Sequence, residues 1–321
     1  MKPALVVFGE TNNLTTPEVA EFFDIYDYDA TSTYDRSSTI FVTNYNKYKE
    51  NQDLVNNLIN NDYKLVFENL TESNPIAEKY LNCCNALFMF SALRTKLIQP
   101  NVVQIPLYFW YKESREWSGE MADYTTLNRE LAFNKKFLML MSKPKKFRLE
   151  IYDKFIDILP DALYSFVGQN IRLPGDVEQD QNYWDRYINV DWYNQTQFSV
   201  VVETFMDIGP GDIFITEKSM KPLALHHPFL SLSCPGTLNM LRQAGFETFE
   251  NIFNESYDNN LSYYNRIDLV YNQIKNYNSN SYDYITKGKI AHNFNWFFNK
   301  DVVDTRYKQQ VIDPLLEFVN E

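Results

Sequence analysis

The residues best suited to chemistry stand close together in the second half of the chain. Glu203 and Thr204 follow an apolar run, Phe198 to Val202, and Thr216, Glu217, Lys218 and Lys221 come after a short loop. The run has the length and β-branching of a buried strand. Gly209, Pro210 and Gly211 mark the loop. Thr216 has the side chain of a helix N-cap, whose oxygen accepts from a first-turn amide. Free N–H groups at such a helix start would form an anion site. Lys218 puts a cation in the first turn, where the helix dipole favours a carboxylate. That placement does little for stability and suits the holding of phosphate. Glu217 can accept hydrogen bonds from sugar hydroxyls. Taken alone, a Thr-Glu-Lys triplet is more simply a pair of surface charges, because short motifs recur by chance.

A second concentration of charge lies upstream. Lys135, Lys136, Lys143, Lys145, Lys146 and Arg148 are six basic residues within fourteen, on a chain of net charge −12. Phe137 to Met141 reads as a strand, the lysines as its loop, and Arg148 as the start of a helix ending near Leu159. A strand feeding a basic loop at a helix start is a phosphate-binding arrangement. A solvated basic face and a contact to a DNA backbone are the other readings.

These residues need a scaffold. After Thr216 a helix should run through Lys221 and stop at Pro228, followed by a strand at Pro228 to Leu232 and a helix at Leu238 to Arg242. The first half repeats the same grammar: strands at Ala4 to Phe8, Ser38 to Thr43, Lys64 to Phe67, Asn85 to Phe90 and Val102 to Leu107, with a helix at Tyr48 to Asn60. Alternation of this kind predicts an α/β fold with parallel sheets. No Gly-x-Gly-x-x-Gly fingerprint occurs, so a dinucleotide site is not expected. Ligands gather at the carboxyl ends of such strands, which makes Glu10 and then Glu68 candidate general bases. Solvated loop carboxylates are the plain alternative. Asp27-Tyr28-Asp29 has the form of a metal motif but stands in an alternating acidic and aromatic run, and no metal site is expected. The expected domains are 1–125, 126–300 and a terminal helix, 301–321, with the joint near Tyr108 to Asn134. Residues 171–192 read as an irregular insertion. His226 and His227, at a helix end, are read as structural, and the aromatic cluster at 293–298 as packing.

The wider pattern resembles a known family. Glu203 after a strand, then Phe214-Ile215-Thr216-Glu217-Lys218, Lys221-Pro222-Leu223-Ala224 and Pro228-Phe229, is similar to the donor-binding half of nucleotide-sugar glycosyltransferases, above all the α-1,3-fucosyltransferase group. That group has a Glu-Asn pair where this chain has Glu203-Thr204. Gly245 to Phe249 and Glu255 to Asp258 resemble a related bacterial and phage set. The resemblance implies two Rossmann-like domains facing across a cleft (GT-B-like) and a nucleoside diphosphate sugar as donor, with no further cofactor. It implies Arg148, with Lys146, on the pyrophosphate and Lys218 opposite. Lys221 and the Thr216 helix end would support them, Glu217 would hold the ribose, and Glu203 would stand near the sugar or nucleotide. Inversion at the sugar is what the family favours.

Composition narrows the partners. Forty-two acidic against thirty basic residues argue against a whole surface built for nucleic acid or anionic membrane, though not against a local basic groove. Cys83, Cys84 and Cys234 make no disulfide framework and, with three histidines, no zinc spacing. No signal peptide or spanning apolar run is apparent, so a cytoplasmic, microbial or viral enzyme is expected. The acceptor stays open: a glycan, a small molecule or hydroxymethylated bases of phage DNA. A reading of another class is a non-catalytic nucleotide-binding or structural protein on the same fold.

Overall fold

The computed structural model describes residues 2–8, 14–69, 80–121, 133–173, 188–279 and 281–321. It is mixed α/β with parallel sheets. Contacts divide the chain into two compact units, Met1–Tyr108 with Asp304–Glu321, and Phe109–Val303.

The first unit is built on a six-stranded sheet in the order Asp24–Asp27, Ala4–Val7, Thr39–Asn44, Lys64–Asn69, Ala86–Phe90, Val102–Gln104. Every neighbouring pair is parallel. The central strands are buried along their length, which is why they read as continuous apolar runs. Val55 and Leu58 of the Gln52–Asn60 helix pack onto Phe41, Phe67 and Phe88, and Phe67 stacks on Phe88 at 4.8 Å. Burying each such ring contributes about 2–3 kcal/mol. The terminal segment belongs to this unit, with Lys64 Nζ donating to the Val319 carbonyl at 2.8 Å.

The edge strand Asp24–Asp27 is mostly exposed, and its acidic residues hide it from hydrophobic patterning. Asp29, the second aspartate of the metal-like triplet, is spent in a turn. It accepts from Thr31 N at 2.9 Å, Thr31 Oγ1 at 2.8 Å and Ser32 Oγ at 2.9 Å.

The second unit has four parallel strands in the order Phe229–Leu232, Thr196–Val202, Lys135–Met141, Ala162–Phe166. Thr196–Val202 is buried at every position. Helices Lys146–Phe155 and Thr237–Gln243 follow strands Lys135–Met141 and Phe229–Leu232, and Glu217–Ala224 follows Thr196–Val202 after the two-residue strand Ile213–Phe214. Their starts therefore stand at the carboxyl end of the sheet, where α/β folds place ligands. Tyr108–Met121 is a helix of fourteen residues in the stretch expected to hold the domain joint. Trp110 and Trp117 anchor it, with Trp110 Nε1 donating to the Phe297 carbonyl at 3.0 Å and Trp117 stacked 5.9 Å from Phe297. Among the described residues no helix is long and apolar enough to cross a membrane.

Candidate functional site

The Thr196–Val202 strand delivers Glu203 and Thr204 to the end of the sheet. Glu203 is fully buried and its carboxylate accepts four hydrogen bonds. Thr216 N and Ser219 Oγ donate to Oε1 at 3.0 and 2.7 Å, and Thr216 Oγ1 and Thr204 N donate to Oε2 at 2.6 and 3.0 Å. A buried carboxylate is tolerable only with such a complement of donors. Glu203 thus clamps the strand end to the start of the Glu217–Ala224 helix. The helix start is not the open anion site the sequence led one to expect. The Thr216 amide and hydroxyl are already committed to Glu203, and the Lys218 amide donates to Thr216 Oγ1 at 3.4 Å. The protein's own carboxylate occupies the favourable end of the dipole.

Positive charge gathers beside this clamp. Arg148, the third residue of the Lys146–Phe155 helix, is buried. Its Nη2 donates to the Glu203 carbonyl at 3.1 Å and its Nη1 to the Lys143 carbonyl at 3.2 Å, while Nε is buried without a hydrogen-bond partner among the described residues. Burial lowers the guanidinium's proton affinity, and Glu203 and Glu217 oppose that. Lys145 precedes the helix. Its Nζ donates to the Thr204 carbonyl at 2.8 Å and lies 4.0 Å from the centre of the Phe205 ring. Burial, then the charges of Arg148, Lys218 and Lys143, push its ammonium down to about 8. Lys218 reaches the same place from the other helix, with Nζ 3.3 Å from Thr204 Oγ1, 3.4 Å from Thr216 Oγ1 and 2.5 Å from Glu217 Oε1. Arg148, Lys145 and Lys218, from two helix starts, therefore converge on Glu203-Thr204.

Glu217 is buried, which raises its proton affinity. Lys218 and Lys221 outweigh the burial and hold the carboxyl below its ordinary value. Lys221 is itself buried. An ionised acceptor and a cluster of cations side by side can hold a hydroxyl-bearing anion.

Other expected residues lie elsewhere. Lys146 is largely exposed, its Nζ 3.9 Å from Glu150 Oε1 on the helix surface, so the lysine that joins the cluster is its neighbour Lys145. Glu68 is buried in the Lys64–Asn69 strand of the first unit, in register with Asn44 and Met89. Glu10 lies outside the described residues. His227 is buried, its Nε2 donating to the Thr196 carbonyl at 2.8 Å and its Nδ1 2.8 Å from Ser199 Oγ, a packing role. Among the described residues no group of three or more His, Cys, Asp or Glu is placed to hold a metal ion. Ser219 escaped the sequence reading, though it stands three residues after Thr216, a spacing that points a hydroxyl back at the helix start.

No protein-family model matches the chain, and no curated protein matches it. Two solved crystal structures are similar to it, both with 12% sequence identity. One is an α1,3-fucosyltransferase, with a TM-score of 0.49 over 94% of this chain and 92% of that one. The other is an α1,3-fucosyltransferase with GDP-fucose, with a TM-score of 0.48 over 94% of this chain and 91% of that one.

Proposed function

We propose that the chain is a glycosyltransferase that moves a sugar from a nucleoside diphosphate sugar to an acceptor hydroxyl. What carries the reading is the convergence of Lys145, Arg148 and Lys218 on Glu203-Thr204, like charges held together with one guanidinium N–H that has no partner among the described residues. Such a cluster is relieved by an anion with several oxygens, and a diphosphate supplies them. Lys218 rests on Glu217. With donor bound, its ammonium would turn to the diphosphate and release Glu217 to accept from the ribose hydroxyls.

As the bond to the sugar breaks, negative charge builds on the leaving diphosphate, and the fixed cations stabilise it there more than in the bound donor. The chain's own side chains would supply this charge, so the reaction is expected to survive chelators. Glu203, saturated with donors, would hold the two helix starts in place rather than touch the sugar. Inverting transfer needs a carboxylate to take the acceptor's proton. Glu68 and Glu10 are the candidates, and Glu68→Gln should then lower turnover at least about a hundredfold with donor affinity intact.

A thermal-shift panel of GDP-fucose, UDP-glucose and other nucleotide sugars tests the donor, a ligand at a hundred times its Kd adding about 2.7 kcal/mol. Diphosphate release in the presence of acceptor then separates a transferase from a protein that only binds nucleotides. No stabilisation by any donor would refute the reading.

A further inference from the structure

The chain leaves the Thr196–Val202 strand through Glu203, Thr204, Phe205 and Met206. The Glu203 N–H donates to the Leu232 carbonyl at 3.0 Å, and the residues beyond lie outside the ladder. Carbonyls drawn out of a sheet and kept from water need other donors. Each of these four finds one on a different side chain. Arg148 Nη2 donates to the Glu203 carbonyl at 3.1 Å, Lys145 Nζ to that of Thr204 at 2.8 Å, Cys234 Sγ to that of Phe205 at 3.6 Å, and Arg266 Nη2 to that of Met206. Arg148, Cys234 and Arg266 are buried, and Lys145 is half-buried. Arg266, on the Tyr263–Asn276 helix, does more than meet one carbonyl. Its Nη1 donates to the Asn260 carbonyl. Two residues earlier the Asp258 carboxylate accepts from the Leu238 and Asn239 amides at 3.1 and 3.4 Å, and the Asp258 carbonyl from the Gly236 amide at 2.8 Å. The guanidinium therefore joins the strand exit to a loop already fixed on the Thr237–Gln243 helix. Burial works against its charge, and Cys234, Asp207 and Asp258 support it. A cation so placed is costly unless its fork is used.

We propose that Arg266 is a positioning residue of the donor site: its fork holds the Met206 carbonyl, so that Lys145 can leave the Thr204 carbonyl for a diphosphate while the strand exit keeps its place. The role toward the diphosphate rests on the donor reading above; the hold on the strand exit does not. Of the four donors Lys145 is the one whose side chain reaches solvent, so the other three must carry the segment once it turns away. Arg148 does so at Glu203 and Arg266 at Met206, with Thr204 between them. Without Arg266, the Cys234 thiol would be the one member of the set left to hold the span beyond Thr204, and a thiol is a weak donor. Being buried, Arg266 acts through the Met206 carbonyl and touches no substrate.

Two measurements test this, both at a temperature where every protein compared is folded. In a Cys83→Ser, Cys84→Ser background the remaining thiol is Cys234, bonded to the Phe205 carbonyl, so its alkylation by N-ethylmaleimide reports opening of the strand exit. Arg266→Met and Arg266→Lys should each speed alkylation about tenfold, the lysine because an ammonium lacks the fork that spans two carbonyls. Burial pushes the Cys234 thiol up to about 11 and the Arg266 charge opposes that, so losing the charge alone would slow the reaction, and a gain reports exposure. Gly245→Ala, which strains the same unit against Trp296, should stay within about twofold of wild type. Rates near wild type in both Arg266 variants, or an equal gain in Gly245→Ala, overturn the proposal, and Arg266→Lys decides should Arg266→Met not fold. The second measurement is calorimetry with the nucleotide sugar that most stabilises the wild type. Arg266→Lys keeps the charge, so a loss of about fivefold or more in affinity there reports geometry, while Gly245→Ala should bind within about twofold of wild type. Unchanged affinity in Arg266→Lys overturns the donor half. If no nucleotide sugar stabilises the wild type, the donor half falls with the reading it rests on, and the alkylation rates still decide whether Arg266 holds the strand exit.

Discussion

The Glu203 carboxylate takes four donors, two of them side-chain hydroxyls, and each hydroxyl lost leaves buried charge short of a partner. Thr216→Val and Ser219→Ala should each cost about 1–3 kcal/mol in denaturant unfolding, and the pair should be non-additive because both serve one carboxylate. Lys145 carries a different prediction. Its ammonium, pushed down to about 8 by burial and by Arg148, Lys218 and Lys143, is charged below that pH and discharged above it. Donor affinity should weaken as pH rises through about 8, and Lys145→Arg should move that loss to higher pH. At this scale the sequence was legible where side-chain type fixes a role, as with the cap at Thr216. It was illegible where backbone direction decides. Lys145 and Lys146 are adjacent lysines, yet one reaches Thr204 and the other faces solvent.

Strands that are buried throughout, such as Thr196–Val202 and Ala86–Phe90, announce themselves as apolar runs, and their positions follow from the sequence within a residue or two. Elements with mixed faces do not. The Tyr108–Met121 helix is rich in aromatic and charged residues and owes its place to Trp110 and Trp117 rather than to periodicity. The end of the Thr237–Gln243 helix tests local geometry. Gly245 has a φ of +98°, its N–H donates to the Arg242 carbonyl at 2.9 Å, and the Phe246 N–H reaches back to Leu241 at 3.1 Å, a left-handed C-cap. A Cβ at Gly245 would come within 2.7 Å of the Trp296 ring. Gly245→Ala should therefore cost more than the about 1 kcal/mol of an unfavourable backbone alone, measured as a lowered denaturation midpoint.

For the whole molecule, the net charge of −12 and the local cation cluster act against each other on an anionic donor. Salt screens both, and the cluster, being partly buried, is screened less. Donor affinity should change less than about threefold between low and moderate salt, whereas an acceptor bound through DNA phosphates would weaken by orders of magnitude. Each unit folds a parallel sheet around its own core, and the sequence grammar of alternating strand and helix carried that much. It did not carry the filling of the Glu217–Ala224 helix start by Glu203, because that depends on a contact between residues thirteen positions apart.

The central claim is that Lys145 and Lys218, with Arg148 behind them, hold a donor diphosphate. Calorimetric titration of the nucleotide sugar that most stabilises the wild type in the thermal-shift panel into wild type, Lys145→Ala, Lys218→Ala and Lys146→Ala tests it directly. The account expects binding by the wild type, a loss of about tenfold or more in the first two variants and no more than twofold in Lys146→Ala. Stabilisation of the wild type by no nucleotide sugar of the panel, or an equal loss in all three variants, would contradict it.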